Sequence, residues 1–166
     1  MGQNLNQQRP TPVKGDVVYT PQPILAAQVY ASEGTALVPG QFVKLYASST
    51  ADNIVVTAAS NTDQVFGFVA FDIRKTAFAA NSMLGLWKQG SIVWAEAGEA
   101  INPGDRLMLY VSGATVQVKK VTHSKMCIGM AVTAQATVGS LLQMQIIAPE
   151  AAGIHEGVSG YSGEPQ

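Results

Sequence analysis

Charge is scarce in this chain. Its 166 residues hold 10 Lys and Arg against 11 Asp and Glu, so 13% of the sequence is charged and the two signs nearly cancel. A nucleic-acid binder needs a basic face to neutralise phosphates, and the composition offers none. Cysteine occurs once, at Cys127, which excludes an internal disulfide framework and reads as a small buried hydrophobe. Histidine occurs at His123 and His155 alone. His123 and Cys127 lie four apart in a strand-like stretch with no third orienting group beside them, so they spell neither a nucleophile–base pair nor a metal site. Glu96 and Glu99 flank a turn, and Asp16, Asp63 and Asp105 fall at strand edges, so they read as solvated loop ends rather than an acid–base pair. Phosphate-loop and dinucleotide fingerprints are missing, and GVSGYSG at 157–163 follows no strand-to-helix signal. The sequence therefore assigns no catalytic residue, no metal ligand and no cofactor.

Long apolar runs are missing too. Nothing approaches the roughly 20 apolar residues that cross a bilayer, and MGQNLNQQRPTP has no signal-peptide core. A myristoylation pattern starting at Gly2 wants Ser or Thr where Asn6 stands. A soluble, unprocessed protein with no membrane partner is expected. A surface short of charge is covered by Ala, Ser, Thr, Gln and Gly instead, which desolvate easily against another protein.

What the chain does hold is repetition. VYASEGTALVPGQFVKLYAS at 29–48 overlays VWAEAGEAINPGDRLMLYVS at 93–112 without a gap, and the pairs Val29/Val93, Ala31/Ala95, Gly34/Gly98, Pro39/Pro103, Gly40/Gly104 and Tyr46/Tyr110 are identical. With shorter loops the match continues from VFGFVA at 65–70 to CIGMAV at 127–132 and from SMLGL at 82–86 to SLLQM at 140–144. Pro39-Gly40 and Pro103-Gly104 suit the central positions of type II turns. Gly67 and Gly129 sit inside strand-like runs and read as bulges or sheet corners. The overlay pairs Tyr30 with Trp94, which favours a core role for both.

Short runs of Val, Ile, Phe and Tyr punctuated every eight to twelve positions by turn residues predict an all-β fold. The expected architecture is a β-sandwich or partly closed barrel built from two tandem repeats of about four strands each, at about 28–88 and 92–147. It occupies a domain at 13–148, with an extended N-terminal arm at 1–12 and a flexible C-terminal tail at 149–166. FDIRKTAFAANS at 71–82 has the spacing for one helical turn, or forms a long loop.

An apolar strand, a small-residue turn and [LI]-x-P-G-x-x-[VL]-x-L-Y, then a Gly-centred strand such as VFGFVA or CIGMAV, resembles the decoration or cement proteins of tailed-bacteriophage capsids. The likeness covers roughly residues 15–148. It implies a non-enzymatic virion protein, made in the host cytoplasm, that binds the outside of the assembled major capsid protein lattice as a homotrimer or homodimer and stabilises it. Partner contacts are then expected from Gln7 and Arg9 in the arm, Phe71, Arg74 and Phe78 in the long loop, and Ile154 and Tyr161 in the tail. Alternatives are a head fibre base or tail component, a lipoyl- or biotinyl-type carrier modified at Lys125, and a lectin-like sandwich stacking sugars on Trp87 or Trp94.

Overall fold

Alternating apolar and polar residues bounded by Pro, Gly, Asn and Asp fold here into eleven strands and, among the described residues, no helix. The structure is a computed structural model that describes residues 11–21, 23–122 and 126–151. The strands are β1 (Val17–Tyr19), β2 (Leu25–Val29), β3 (Phe42–Leu45), β4 (Val55–Ala58), β5 (Gly67–Val69), β6 (Met83–Trp87), β7 (Ile92–Glu96), β8 (Arg106–Ser112), β9 (Thr115–Lys120), β10 (Met126–Ala131) and β11 (Leu141–Ala151). The segment 71–82 contains no helical turn; it is a loop of turns closed by an Asp72–Lys75 bridge.

The all-β expectation holds, and the choice between sandwich and barrel resolves to a closed five-stranded barrel, β2-β4-β3-β5-β6, beside a six-stranded sheet, β1-β7-β11-β10-β8-β9. A parallel bridge from Ala97 to Val118 brings the far strand of that sheet, β9, back to β7. The two halves use the same pairings. Val43 faces Gly67 as Leu107 faces Gly129, Leu45 faces Val56 as Leu109 faces Val118, and Ala27 faces Leu84 as Ala95 faces Leu142. Each half therefore contributes five strands rather than four. Gly129 adjoins a register shift between β10 and β11, whereas the pairings of Gly67 show none.

The matched turns are built alike. Gln41 N–H donates to Val38 O at 3.2 Å and Asp105 N–H to Asn102 O at 3.2 Å, closing four-residue turns around Pro39-Gly40 and Pro103-Gly104. Gly40 and Gly104 have φ of 80° and 87°, the left-handed value that the third residue of a type II turn requires. The side chains of Gln41 and Asp105 then accept from Val38 N and Asn102 N at 2.9 and 2.8 Å.

The ungapped overlay fails in the preceding strand. Val29 N–H donates to Ser82 O and Ala97 N–H to Ser140 O; Tyr30 N–H donates to Val56 O and Gly98 N–H to Val118 O. The counterpart of Tyr30 is thus Gly98, and that of Trp94 is Ala26. The first half carries its extra residues between Tyr30 and Leu37, whose match is Ile101. The expected core role of Tyr30 and Trp94 is corrected accordingly: both are half-buried on outward faces and belong to neither core. Asp16, expected to be solvated, is buried, and its carboxylate accepts from Val13 N at 3.1 Å.

Two cores result. Ala27, Val29, Leu37, Val43, Val56, Val69, Phe78, Leu84 and Leu86 fill the barrel. The second core gathers Val93, Ala95, Leu107, Val118, Ile128, Leu142 and Met144 together with Phe42, Ala59, Val65 and Phe68 from the first half. In β3 and β5 consecutive residues serve different cores, Val43 and Val69 turning inward and Phe42 and Phe68 turning to the second half. That two-sided burial is why VFGFVA reads as an unbroken apolar run rather than an alternation. Asn61 adds a polar tie: its Nδ2 donates to Val111 O at 3.0 Å and its Oδ1 accepts from Val111 N at 2.5 Å.

Asp63 holds the loop before β5. Its carboxylate accepts from Ser60 N at 2.8 Å, from Ser60 Oγ at 2.6 Å and from Lys44 Nζ at 2.9 Å. Burial pushes this carboxyl up, but the hydrogen bonds from Ser60 and Lys44 outweigh it, and the net direction is below the usual carboxylate range. A depressed carboxyl stabilises the fold above its unfolded value of about 3.9 and loses that contribution as pH falls through the folded value. Asp63→Asn is expected to cost about 1 kcal/mol near pH 7, with the gap to the parent in urea titrations narrowing as pH falls below about 3.9 and closing once the folded carboxylate is itself protonated.

Candidate partner-binding surface

The loop that joins β5 to β6 exceeds its counterpart between β10 and β11, and it shapes the larger of the grooves described here. Asp72 Oδ1 accepts from Arg74 N at 2.8 Å and Lys75 N–H donates to Asp72 O at 3.2 Å, so the carboxylate and the turn fix the loop's tip. Its base is tied at both ends. Phe71 N–H donates to Gly15 O at 3.0 Å, and Phe78 exchanges two backbone bonds with Leu37 at 2.9 and 2.7 Å.

Beneath the loop runs a groove of ≈ 550 Å³. Its floor is Ala70 and Gly85, its walls include Trp87 and Val17, and Asp16 and Asp72 are the charged residues that line it. Three large apolar side chains of the groove face solvent: Ile73 at 80%, Met83 at 54% and Ile24 at 50% relative exposure. Soluble surfaces seldom keep such side chains together without a partner. Trp87 is positioned by its indole N–H, which donates to Gly15 O at 3.1 Å, and packs against the second core.

The repeat shows why the groove exists in one half. By strand pairing, Gly85 corresponds to Gln143, whose N–H donates to Thr133 Oγ1 at 3.0 Å and whose carbonyl accepts from Val132 N at 2.8 Å. In the first half a Cβ at this position would stand 2.3 Å from Ile24 Cδ1, so glycine there lets Ile24 lie against the strand. A second cleft of ≈ 460 Å³ runs between Glu33, Thr35, Val38 and Phe42 on one side and Val111, Gly113 and Val116 on the other.

Of the residues expected to touch a partner, Arg74 is exposed at the loop tip and Phe71 is half-buried in the groove wall. Phe78 is 2% exposed and fills the barrel core, with Lys75 Nζ 5.9 Å from its ring centroid; its ring supports the loop from within. Gln7, Arg9, Ile154 and Tyr161 lie outside the described residues, as do Lys125 and His123. The sequence reading missed Ile24, Ile73 and Met83, which are distant in the chain and meet only through folding. Cys127 is buried, with its thiol 3.4 Å from Gly129 O. Among the described residues no three His, Cys, Asp or Glu gather as a metal site, and no helix is long and apolar enough to cross a membrane. What the groove presents is mainly apolar area, chemistry suited to holding another chain.

A family model described as the XM1 gp53 minor capsid protein matches residues 2–146. Among solved structures, the crystal structure of the N-terminal base of head fibre gp8.5 of bacteriophage phi29 is similar, with 17% identity and a TM-score of 0.49, covering 77% of this chain and 97% of that one. No curated protein sequence matches.

Proposed function

Because the chain belongs to the XM1 gp53 minor capsid protein family and is a capsid-associated structural protein of bacteriophage, we propose that it decorates the outside of the assembled major capsid protein lattice and stabilises it without catalysis. The observation that carries this reading is the groove under the 71–78 loop, where Ile24, Ile73 and Met83 are exposed to solvent together. Sparse charge, 13% of residues, supports a protein whose surface is covered by neighbours, including copies of itself in a dimer or trimer. The arm and tail, with Gln7, Arg9, Ile154 and Tyr161, supply further contacts in this proposal.

Stabilisation follows from mass action. A protein that binds the assembled lattice and not its free subunits favours assembly by RT ln(1 + [L]/Kd) at each site, about 2.7 kcal/mol at a hundredfold excess over Kd. Purified protein mixed with undecorated capsids is expected to bind throughout the lattice in fixed stoichiometry. Ile73→Asp, a change on an exposed loop, is expected to weaken capsid binding about tenfold or more, as loss of an apolar anchor does, while leaving the unfolding midpoint unchanged. Binding at a few sites per particle would instead indicate the base of a fibre. Unaltered occupancy for Ile73→Asp would remove the groove from the contact, and unaltered occupancy after deletion of residues 1–12 would remove the arm.

A further inference from the structure

Tyr30 and Tyr46 stand on either side of β4. Tyr30 N–H donates to Val56 O and Tyr46 N–H to Val55 O, both at 2.9 Å. Their rings stack with centroids 3.7 Å apart and planes 24° from parallel. The neighbouring hydroxyl lowers the Tyr30 phenol below its usual range and raises that of Tyr46, so Tyr46 is the better keeper of its proton.

The barrel does not require this arrangement. In the second half Tyr110 takes the place of Tyr46, but Gly98 takes the place of Tyr30. Lys119 fills the vacated space, its Nζ 3.5 Å from the Tyr110 ring centroid and its methylenes 2.9 Å from where a Gly98 Cβ would stand. Lys119 thus does for Tyr110 what one aromatic ring does for another in the first half. A mutually stacked pair of phenols has a chemistry that a lysine over a ring lacks.

We propose that Tyr30 and Tyr46 form an oxidative modification site, at which a one-electron oxidant of the peroxidase or photo-oxidised metal-complex class couples them into an intramolecular dityrosine. Each phenol gives one electron to the oxidant and its hydroxyl proton to water. The two radicals pair to form one carbon–carbon bond between ring carbons ortho to the oxygens. The two ortho hydrogens then move as protons to the oxygens and restore the phenols, so two electrons and two protons are lost in all. Ring proximity favours coupling within the pair over encounter with another molecule. The new bond straps β2 to β3 across β4, at a seam where β2 and β4 pair in register at Gln28–Val55 and Val29–Val56.

The test exposes the full chain to photogenerated ruthenium(III) tris-bipyridine with persulfate as electron acceptor. The expected product is a monomer lighter by two hydrogen atoms, with dityrosine fluorescence and a cross-linked peptide joining the Tyr30 and Tyr46 fragments. The loss of mass is expected to vanish in Tyr30→Phe and in Tyr46→Phe, which keep a ring at each position, and to persist in Tyr19→Phe, whose parent tyrosine is 58% exposed. Circular dichroism confirms that each variant is folded. The linked form is expected to unfold at a higher temperature than the untreated chain. Absence of the monomeric product, or cross-linked dimers that depend on Tyr19 and persist without Tyr30 and Tyr46, would overturn the assignment. Neither result bears on whether the protein binds capsids.

Discussion

Replacing Phe68 with alanine is expected to lower the unfolding free energy by about 4 kcal/mol, within the range for deleting a fully buried aromatic ring. Phe68 is 0% exposed, and its ring meets Phe42 edge-to-face with centroids 4.7 Å apart. The pair lies between the two cores, so the vacancy would open at a wall they share. β5 is buried along its whole length, and collapse of its neighbours into the space would pull Val69 out of register with Leu86. Phe68→Leu keeps most of the apolar volume and is expected to lose about 1.5 kcal/mol or less. Urea unfolding curves of the two variants and the parent check both figures. A loss for alanine no greater than for leucine would show that the wall is not tightly packed.

The second large effect is expected at Gly15. Its φ is +92°, and a Cβ there would stand 2.8 Å from Gly40 N and 3.0 Å from Pro39 Cβ, atoms of a turn that cannot swing aside. The same residue ties three elements: its N–H donates to Trp94 O at 3.2 Å, and its carbonyl accepts from Phe71 N at 3.0 Å and Trp87 Nε1 at 3.1 Å. Gly15→Val combines left-handed strain with overpacking, each of order 1–3 kcal/mol, and is expected to cost about 3 kcal/mol. Because Trp87 and Phe71 line the groove, its emission spectrum should shift in the folded variant, and thermal unfolding followed by fluorescence reads both changes. A parent-like midpoint and spectrum would mean that the Pro39-Gly40 turn yields more readily than its geometry allows.

The part of this fold that could be read from the amino acids is the part governed by local chemistry. Pro39-Gly40 and Pro103-Gly104 announce their turns because proline fixes one torsion and glycine supplies the next. The strand before each turn misaligns for an equally physical reason. Side chains alternate faces with a period of two, so a slip of four residues keeps every inward residue inward, and apolar patterning cannot detect it. Val29 over Val93 looked as good as Val29 over Ala97, yet only the second agrees with the hydrogen bonds to Ser82 and Ser140. A place in a long loop makes Phe78 an expected contact, but its backbone pairs with Leu37 and carries the ring inward. The groove had one trace in the sequence, Gly85 opposite Gln143 in the repeat. Ile24, Ile73 and Met83 carry no shared pattern: Ile73 stands between Asp72 and Arg74, whereas Ile24 and Met83 open strand-like runs that continue with Leu25 and Leu84.

Closure of the first sheet also bears on crowding. In the decoration role proposed above, copies side by side on a particle would meet one another at far higher local concentration than in free solution. Any exposed row of backbone donors and acceptors would then template strand-to-strand aggregation between them. Here β2 joins β6 to complete the ring, Ala97–Val118 draws β9 toward β7, and the outermost strand, β1, has three residues and a register break. With so little backbone left to pair indiscriminately, recognition falls to side chains, and densely packed neighbours can stay separate.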